Sequence, residues 1–168
     1  NQDAEDFKIC TCKHENINEW KEYIPATNGV LIGGFTLLND WMVRSEVRNA
    51  LSKIYVRNLS TNKEEELTIT DEKVITPGLS LMQKNRNTNK LYVAYHSPKT
   101  PGKSYIYDIV TKEKKLVKEE EVPSGHNPND YLVERLSCDS HDGKKIPLTI
   151  THHKKTKLDG SANLLLYA

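Results

Sequence analysis

Asn39-Asp-Trp-Met-Val-Arg-Ser-Glu46 aligns with Asn89-Lys-Leu-Tyr-Val-Ala-Tyr-His96 when the chain is laid on itself at a lag of about 50 residues, the length of one propeller blade. Both stretches read as strands. A polar gap follows each, Asn49-Ala50 in the first copy and Pro98-Lys-Thr-Pro-Gly102 in the second. Then Lys53-Ile-Tyr-Val-Arg-Asn58 matches Ser104-Tyr-Ile-Tyr-Asp-Ile109. Polar turns at Ser60-Thr-Asn-Lys63 and Thr111-Lys-Glu-Lys114 lead into short outer strands, Glu66-Leu-Thr-Ile69 and Leu116-Val-Lys118. Innermost strands are expected at Leu31-Ile-Gly-Gly-Phe-Thr-Leu-Leu38 and Leu79-Ser-Leu-Met82, which completes two four-stranded antiparallel units.

Working outward, Phe7-Lys-Ile-Cys-Thr-Cys12 alternates, and Trp20-Lys-Glu-Tyr-Ile24 follows a polar turn at Lys13 to Asn18. That pair predicts the outer half of a preceding blade, so the fold class is mainly β, with about two and a half blades. Blades bury their faces against one another, so this number leaves faces bare. After Glu121 the rhythm changes. Val122-Pro-Ser-Gly-His-Asn-Pro128 is a Pro/Gly-rich connection, and a domain boundary is placed there, dividing the chain into 1–121 and 122–168. Tyr131-Leu-Val-Glu-Arg-Leu-Ser137 and Ile146-Pro-Leu-Thr-Ile-Thr151 flank an Asp142-Gly143 turn and read as a hairpin. Leu164-Leu-Leu-Tyr167 reads as one further strand, buried on both faces, which needs parallel neighbours. The run ends with the chain, and the opening Asn1-Gln-Asp-Ala-Glu-Asp6 has no initiating Met and no signal-peptide layout; a piece of a larger protein is expected.

Composition narrows the function classes. In 168 residues, 24 Lys and Arg stand against 23 Asp and Glu, interspersed, so no field strong enough to recruit nucleic acid or an anionic membrane is expected. No stretch approaches the roughly 20 apolar residues of a membrane helix. Three cysteines, Cys10, Cys12 and Cys138, make no disulfide framework and point to a reducing compartment, with the cytoplasm as default.

Motifs with chemical potential mostly dissolve on inspection. Gly78-Leu-Ser-Leu-Met82 approaches a nucleophile elbow, but Met82 replaces the second glycine and no helical pattern follows. Gly102-Lys103-Ser104 resembles the end of a phosphate-binding loop, yet Ser97 stands where the first glycine belongs and a strand follows. Cys10 and Cys12 share a strand face and lack a nearby third soft ligand. His141, His152 and His153 read as exposed polar residues, and Lys154-Lys155-Thr156-Lys157 as a solvated loop without aromatic platforms. Carboxylate runs at Glu64 to Glu66 and Glu119 to Glu121 are read as guards of exposed strand edges. Tyr105 and Tyr107 are read as blade packing. Asn58-Leu-Ser60 fits a glycosylation sequon, which matters only on secretion. No catalytic, cofactor-binding or metal residue is assigned, and no cofactor is implied.

Gly34-Phe-Thr-Leu-Leu-Asn-Asp-Trp-Met-Val43, Glu121-Val-Pro-x-Gly125, Tyr131, Glu134-Arg135, Asp142-Gly-x-x-x-Pro-Leu148 and Leu164-Leu-Leu-Tyr167 together resemble the prolyl oligopeptidase family of serine peptidases, and within it the oligopeptidase B (protease II) branch. The resemblance runs from Phe7 to Ala168. It implies the last blades of an open seven-bladed propeller up to Glu121, then the first three strands of an α/β-hydrolase sheet. The family's catalytic serine, aspartate and histidine, and its oxyanion tyrosine, fall beyond Ala168. Tyr167 matches the first tyrosine of a family Tyr-Gly-Tyr-Gly stretch, and Ala168 stands where glycine is usual. The implied function is a cytoplasmic oligopeptidase cleaving short peptides after Lys or Arg, in which this stretch gates the active site and seats the hydrolase sheet. Implied partners are peptide substrates and the rest of the chain, with no nucleic acid and no membrane. Alternatives are a free-standing β-repeat module that self-associates through bare faces, and a post-proline-cleaving relative.

Overall fold

The computed structural model describes residues 3–80 and 86–167, with the side chains of 78–80 excepted. Strands β1 (Ile9–Lys13) and β2 (Asn16–Ile24) form an antiparallel hairpin. The first complete blade is β3 (Val30–Leu37), β4 (Trp41–Arg48), β5 (Leu51–Asn58) and β6 (Glu64–Glu66), in sequential order. The second is β7 (Thr76–Ser80), β8 (Lys90–His96), β9 (Lys103–Asp108) and β10 (Lys114–Glu119). A single 3₁₀ turn, Pro128–Asp130, precedes β11 (Tyr131–Asp139), which pairs in unbroken register with β12 (Lys145–His153). No α-helix occurs among the described residues. The mainly-β expectation, with four-stranded antiparallel blades, therefore holds.

Matching turns close the two blades. Asn58 Oδ1 accepts from the Ser60 and Thr61 amides at 3.0 and 2.9 Å, while Asp108 Oδ1 accepts from Val110 and Thr111 at 2.9 and 3.1 Å. Asn62 and Lys112 then take the left-handed conformation in turn. Short side-chain oxygens that capture their own backbone two and three residues on are the reason such turns select Asn and Asp.

These turns correct the alignment of the two copies. Counting inward from Asn58 and Asp108, Met42 sits opposite Arg57 as Leu91 sits opposite Tyr107. Arg44 thus corresponds to Val93, and Glu46 to Tyr95; Val43 does not correspond to Val93. Side chains alternate across a strand, so a one-residue difference exchanges the faces. The pairing of two valines cannot reveal this, because β4 is apolar in both phases: it is covered on both sides, with Met42 and Val43 equally inaccessible.

Val43, Ile54, Val56, Leu67 and Ile69 of the first blade pack against Leu91, Val93, Tyr95, Tyr107 and Ile109 of the second, forming the main core. The opposite face of β4 meets the β1–β2 hairpin through a smaller cluster, Ile9, Ile24, Ile32 and Met42. Trp41 Nε1 stitches the seam between blades by donating to Asn89 Oδ1 at 3.1 Å, and Lys114 Nζ donates to the Ile69 carbonyl at 2.6 Å.

Several boundaries move. The first turn tightens to His14-Glu15, so β2 starts at Asn16, within the stretch expected to be loop. The outer strand β6 covers Glu64–Glu66, earlier than Glu66 to Ile69, because Leu67 and Ile69 turn into the core. The seventh strand begins at Thr76; Leu81 and Met82 of its expected span lie outside the described residues. The expected strand at Leu164 to Tyr167 is absent: no strand follows His153 among the described residues, and these side chains are 76 to 95 % exposed. A strand needs a hydrogen-bonding neighbour. β11 and β12 pair only with each other and offer this run no edge contact.

Candidate functional site

None of the sequence candidates assembles into a catalytic constellation among the described residues. Gly78 to Ser80 lie within β7, a strand, whereas an elbow requires a strand-to-helix turn; Leu81 and Met82 are outside the described residues. The Gly102 amide donates to Glu120 Oε2 at 3.2 Å, and Lys103 and Ser104 belong to β9. Cys10 and Cys12 lie half-buried on β1, and Cys138 is exposed near the end of β11. The Asn58 amide group of the sequon is occupied as a turn cap.

The histidines are more structured than expected. His141 sits in the hairpin turn. At the other end of the hairpin His152 and His153 do not lie free: His152 Nδ1 donates to the His153 carbonyl at 3.0 Å, leaving Nε2 buried 4.0 Å from Glu134. His153 Nδ1 accepts from the Lys155 amide at 3.1 Å, and its ring meets Tyr131 edge-on at 5.5 Å. Thr156 donates its amide to the His153 carbonyl, so Lys154 to Lys157 leave the strand through a turn.

The carboxylate runs also do more than guard edges. Glu64 binds Arg44, Glu65 pairs with Lys112 of the second blade, and Glu66 holds Lys53 at 2.6 Å. Glu119 pairs with Lys103 at 2.9 Å, and that contact raises the lysine pKa. Tyr107 is buried in the core and Tyr105 stacks on Tyr95 at 6.2 Å, as blade packing requires.

Two groupings escaped the sequence reading. The first lies where β4 faces the β1–β2 hairpin. Arg44, 5 % exposed, donates from Nε to Glu46 Oε1 at 2.8 Å and from NH2 to Glu64 Oε1 at 3.0 Å; Glu46 is 8 % exposed. Burial pulls the guanidinium pKa down, but hydrogen bonds and charge from Glu64 and Glu46 outweigh it and the net shift is upward. Arg57 stacks on Tyr23 of β2 at 4.8 Å. The arrangement is an ionic seam in which the Arg44 guanidinium is held by two carboxylates, while Arg57 Nε is buried without a hydrogen-bond partner. Its signal in the sequence was only a charge pair two residues apart on a strand with Trp41, Met42, Val43 and Val47.

The second grouping lies at the loops β4–β5 (49–50) and β8–β9 (97–102), on the edge of the blades that meets the chain after 121. Arg135 of β11 donates NH1 to Thr149 Oγ1 at 2.7 Å and NH2 to the Asn49 carbonyl. His126 Nε2 donates to the Lys99 carbonyl at 2.6 Å, and its ring stacks on Tyr131 at 5.2 Å. Both receptors on the blade side are main-chain carbonyls. What this geometry performs is positioning: the β11–β12 hairpin is seated on the blade loops.

Comparisons with known proteins agree with this architecture. Residues 1–120 match the prolyl oligopeptidase N-terminal beta-propeller domain. A dipeptidyl aminopeptidase BI from Pseudoxanthomonas mexicana is 31 % identical over 98 % of this chain and 23 % of its own length. The prolyl oligopeptidase ophP of Omphalotus olearius is 26 % identical over 99 % of this chain and 22 % of its own. Oligopeptidase B from Trypanosoma brucei, in a closed form with covalently bound antipain, superposes with a TM-score of 0.77 at 26 % identity, over 88 % of this chain and 22 % of that one. The chain thus spans less than a quarter of the length of these relatives. A free-standing repeat module is not favoured by these matches. Through its blades, this chain belongs to the prolyl oligopeptidase family.

Proposed function

We propose that the chain is the closing portion of the propeller and the opening portion of the hydrolase domain of a serine oligopeptidase. Residues 1–121 supply the blades, and 122–168 supply the linker and first hydrolase strands. The observation that carries this is the propeller match over residues 1–120, ending where the Pro/Gly-rich connection begins. In the whole enzyme a serine activated by histidine would attack the peptide carbonyl. Those groups would be supplied by sequence beyond this stretch, so no catalytic residue is assigned within it.

The role of the stretch itself is architectural. The blades would restrict access to the active site and admit short peptides, while the hairpin seats the hydrolase sheet against them. Cleavage after Lys or Arg rests on likeness to oligopeptidase B. A second reading, removal of dipeptides from a free amino terminus, has the 31 % identical dipeptidyl aminopeptidase BI behind it. A reducing, cytoplasmic setting is supported by the free Cys10, Cys12 and Cys138, and no helix among the described residues is long and apolar enough to cross a membrane. Self-association would use exposed apolar residues such as Ile17 and Trp20 on β2.

The test is to express the complete open reading frame containing this stretch and, separately, these residues alone. Fluorogenic peptides ending in Arg or Pro, with free and blocked amino termini, would be assayed on both. Turnover of the blocked Arg peptide by the complete protein supports the oligopeptidase B reading. Turnover confined to free amino termini supports the dipeptidyl reading. Labelling of the present chain alone by a serine-directed phosphonate would refute the architectural assignment.

A further inference from the structure

Glu72 lies in the connection from the first blade to the second, well away in sequence from the linker after 121. Its carboxylate takes two hydroxyls at once. Ser97 Oγ donates to Oε2 and Thr100 Oγ1 to Oε1, both at 2.6 Å. Ser97 and Thr100 are themselves buried. Ser97 Oγ in turn accepts the amides of Lys99 and Thr100 at 3.2 and 2.9 Å, and the Ser97 amide donates to the Thr100 carbonyl at 3.0 Å.

With the Ser97 and Lys99 amides and the Thr100 amide and carbonyl engaged inside the loop, the Lys99 carbonyl is turned outward to His126. A carbonyl can only accept, so His126 carries its proton on Nε2. The linker is also held at its root, where Glu120 donates its amide to the Gly102 carbonyl at 2.8 Å and returns a carboxylate oxygen to the Gly102 amide at 3.2 Å. From there His126 stacks on Tyr131, the first residue of β11, and Tyr131 meets His153 of β12. A continuous series of contacts therefore runs from Glu72 to the hairpin.

We propose that Glu72 is a positioning residue for the chain beyond the blades: its carboxylate sets the 97–102 loop so that Lys99 holds His126, strapping linker 122–130 and the β11–β12 hairpin to the propeller edge. Two mutually supporting features select Glu72. A serine hydroxyl that donates to a carboxylate while accepting two amides is polarised in one direction, which strengthens each bond. Both hydroxyls also need an acceptor on the same side, and a carboxylate offers one oxygen to each. The inference stands independently of the peptidase reading, since it concerns the hold of one segment on another.

Hydrogen exchange on the intact chain decides it, comparing wild type with Glu72→Gln, His126→Ala and Thr100→Val. A lost charge-assisted hydrogen bond speeds local opening by about tenfold or more. Peptides from 97–102 and from 122–130 should both exchange about tenfold faster in Glu72→Gln, and 122–130 alone should do so in His126→Ala. Exchange along the β8–β9 ladder serves as the folding check and should not change. If Glu72→Gln disrupts that ladder, Thr100→Val, which removes one hydroxyl at constant shape, takes its place with the same expectation. Acceleration in 97–102 while 122–130 keeps its wild-type rate would overturn the proposal.

Discussion

Arg44 and Glu46 occupy on the first blade the places that Val93 and Tyr95 occupy on the second. One inter-blade seam is therefore ionic where the next is apolar. Removing one partner of a buried ion pair leaves the other uncompensated, a loss of about 3–5 kcal/mol. Arg44→Val should cost that much in a urea titration. Partial relief is available to Glu64, which is only partly buried. The double replacement Arg44→Val with Glu46→Tyr, copying the second blade, should recover most of the loss. A double variant no better than the single would contradict the equivalence.

Asn58→Ala and Asp108→Ala each remove a turn-capping oxygen with two amide donors. Each should cost about 1 kcal/mol, within the range of side-chain caps on orphan amides. Asp108→Asn keeps the acceptor and should be near neutral. Denaturation midpoints of the three variants check this.

Two small residues should respond with opposite signs. Gly143 closes the β11–β12 turn at φ 78°, with nothing within 4 Å of an added Cβ, so Gly143→Ala meets no clash and pays only backbone strain, about 1 kcal/mol. Ala50 already bears that strain: with Asn49 it forms a two-residue turn at φ 50° and 56°. Such turns favour Asn-Gly. Ala50→Gly should stabilise the blade by several tenths of a kcal/mol to about 1 kcal/mol. Thermal melts of both variants against wild type measure the pair.

Alkaline pH should weaken the second blade. Burial raises the pKa of Tyr107 and of Tyr105, and the Glu119 hydrogen bond raises that of Lys103. All three bind their protons more tightly folded than unfolded. Their contribution is complete below the unfolded values near 10 and is lost as pH rises through the folded ones. Tyrosinate absorbance should show two tyrosines titrating late, and Tyr107→Phe should lessen the loss of stability above pH of about 10. Equal stability curves for wild type and Tyr107→Phe across that range would contradict it.

Much of the fold was legible because blade strands announce themselves through alternation and because Asn58, Asp108, Asp142 and Gly143 are turn residues with a local mechanism. What stayed hidden depended on partners distant in sequence. The faces of β4 could not be told apart when Met42 and Val43 are both apolar, and the register appears only once Asn58 and Asp108 are recognised as equivalent. Glu72 carried no local signal, since its hydroxyl partners lie on the following blade. Leu164 to Tyr167 are strand-forming by composition, but pairing is a property of neighbours and not of a run. The family resemblance was read from short motifs that mark turns and edges, and those are the positions where local chemistry dictates the residue.

The two blades are alike in outline but not interchangeable. A tandem copy of the first blade, inserted by recombination after itself, would press Arg44 and Glu46 of the copy onto the Val43, Ile54 and Val56 face of the original; Glu64 would travel with them as counter-ion, but Arg57 of the copy would lose the Tyr23 ring of the hairpin. Copying one unit would thus set an ion cluster against an apolar face, and each blade is fitted by its chemistry to its own neighbours.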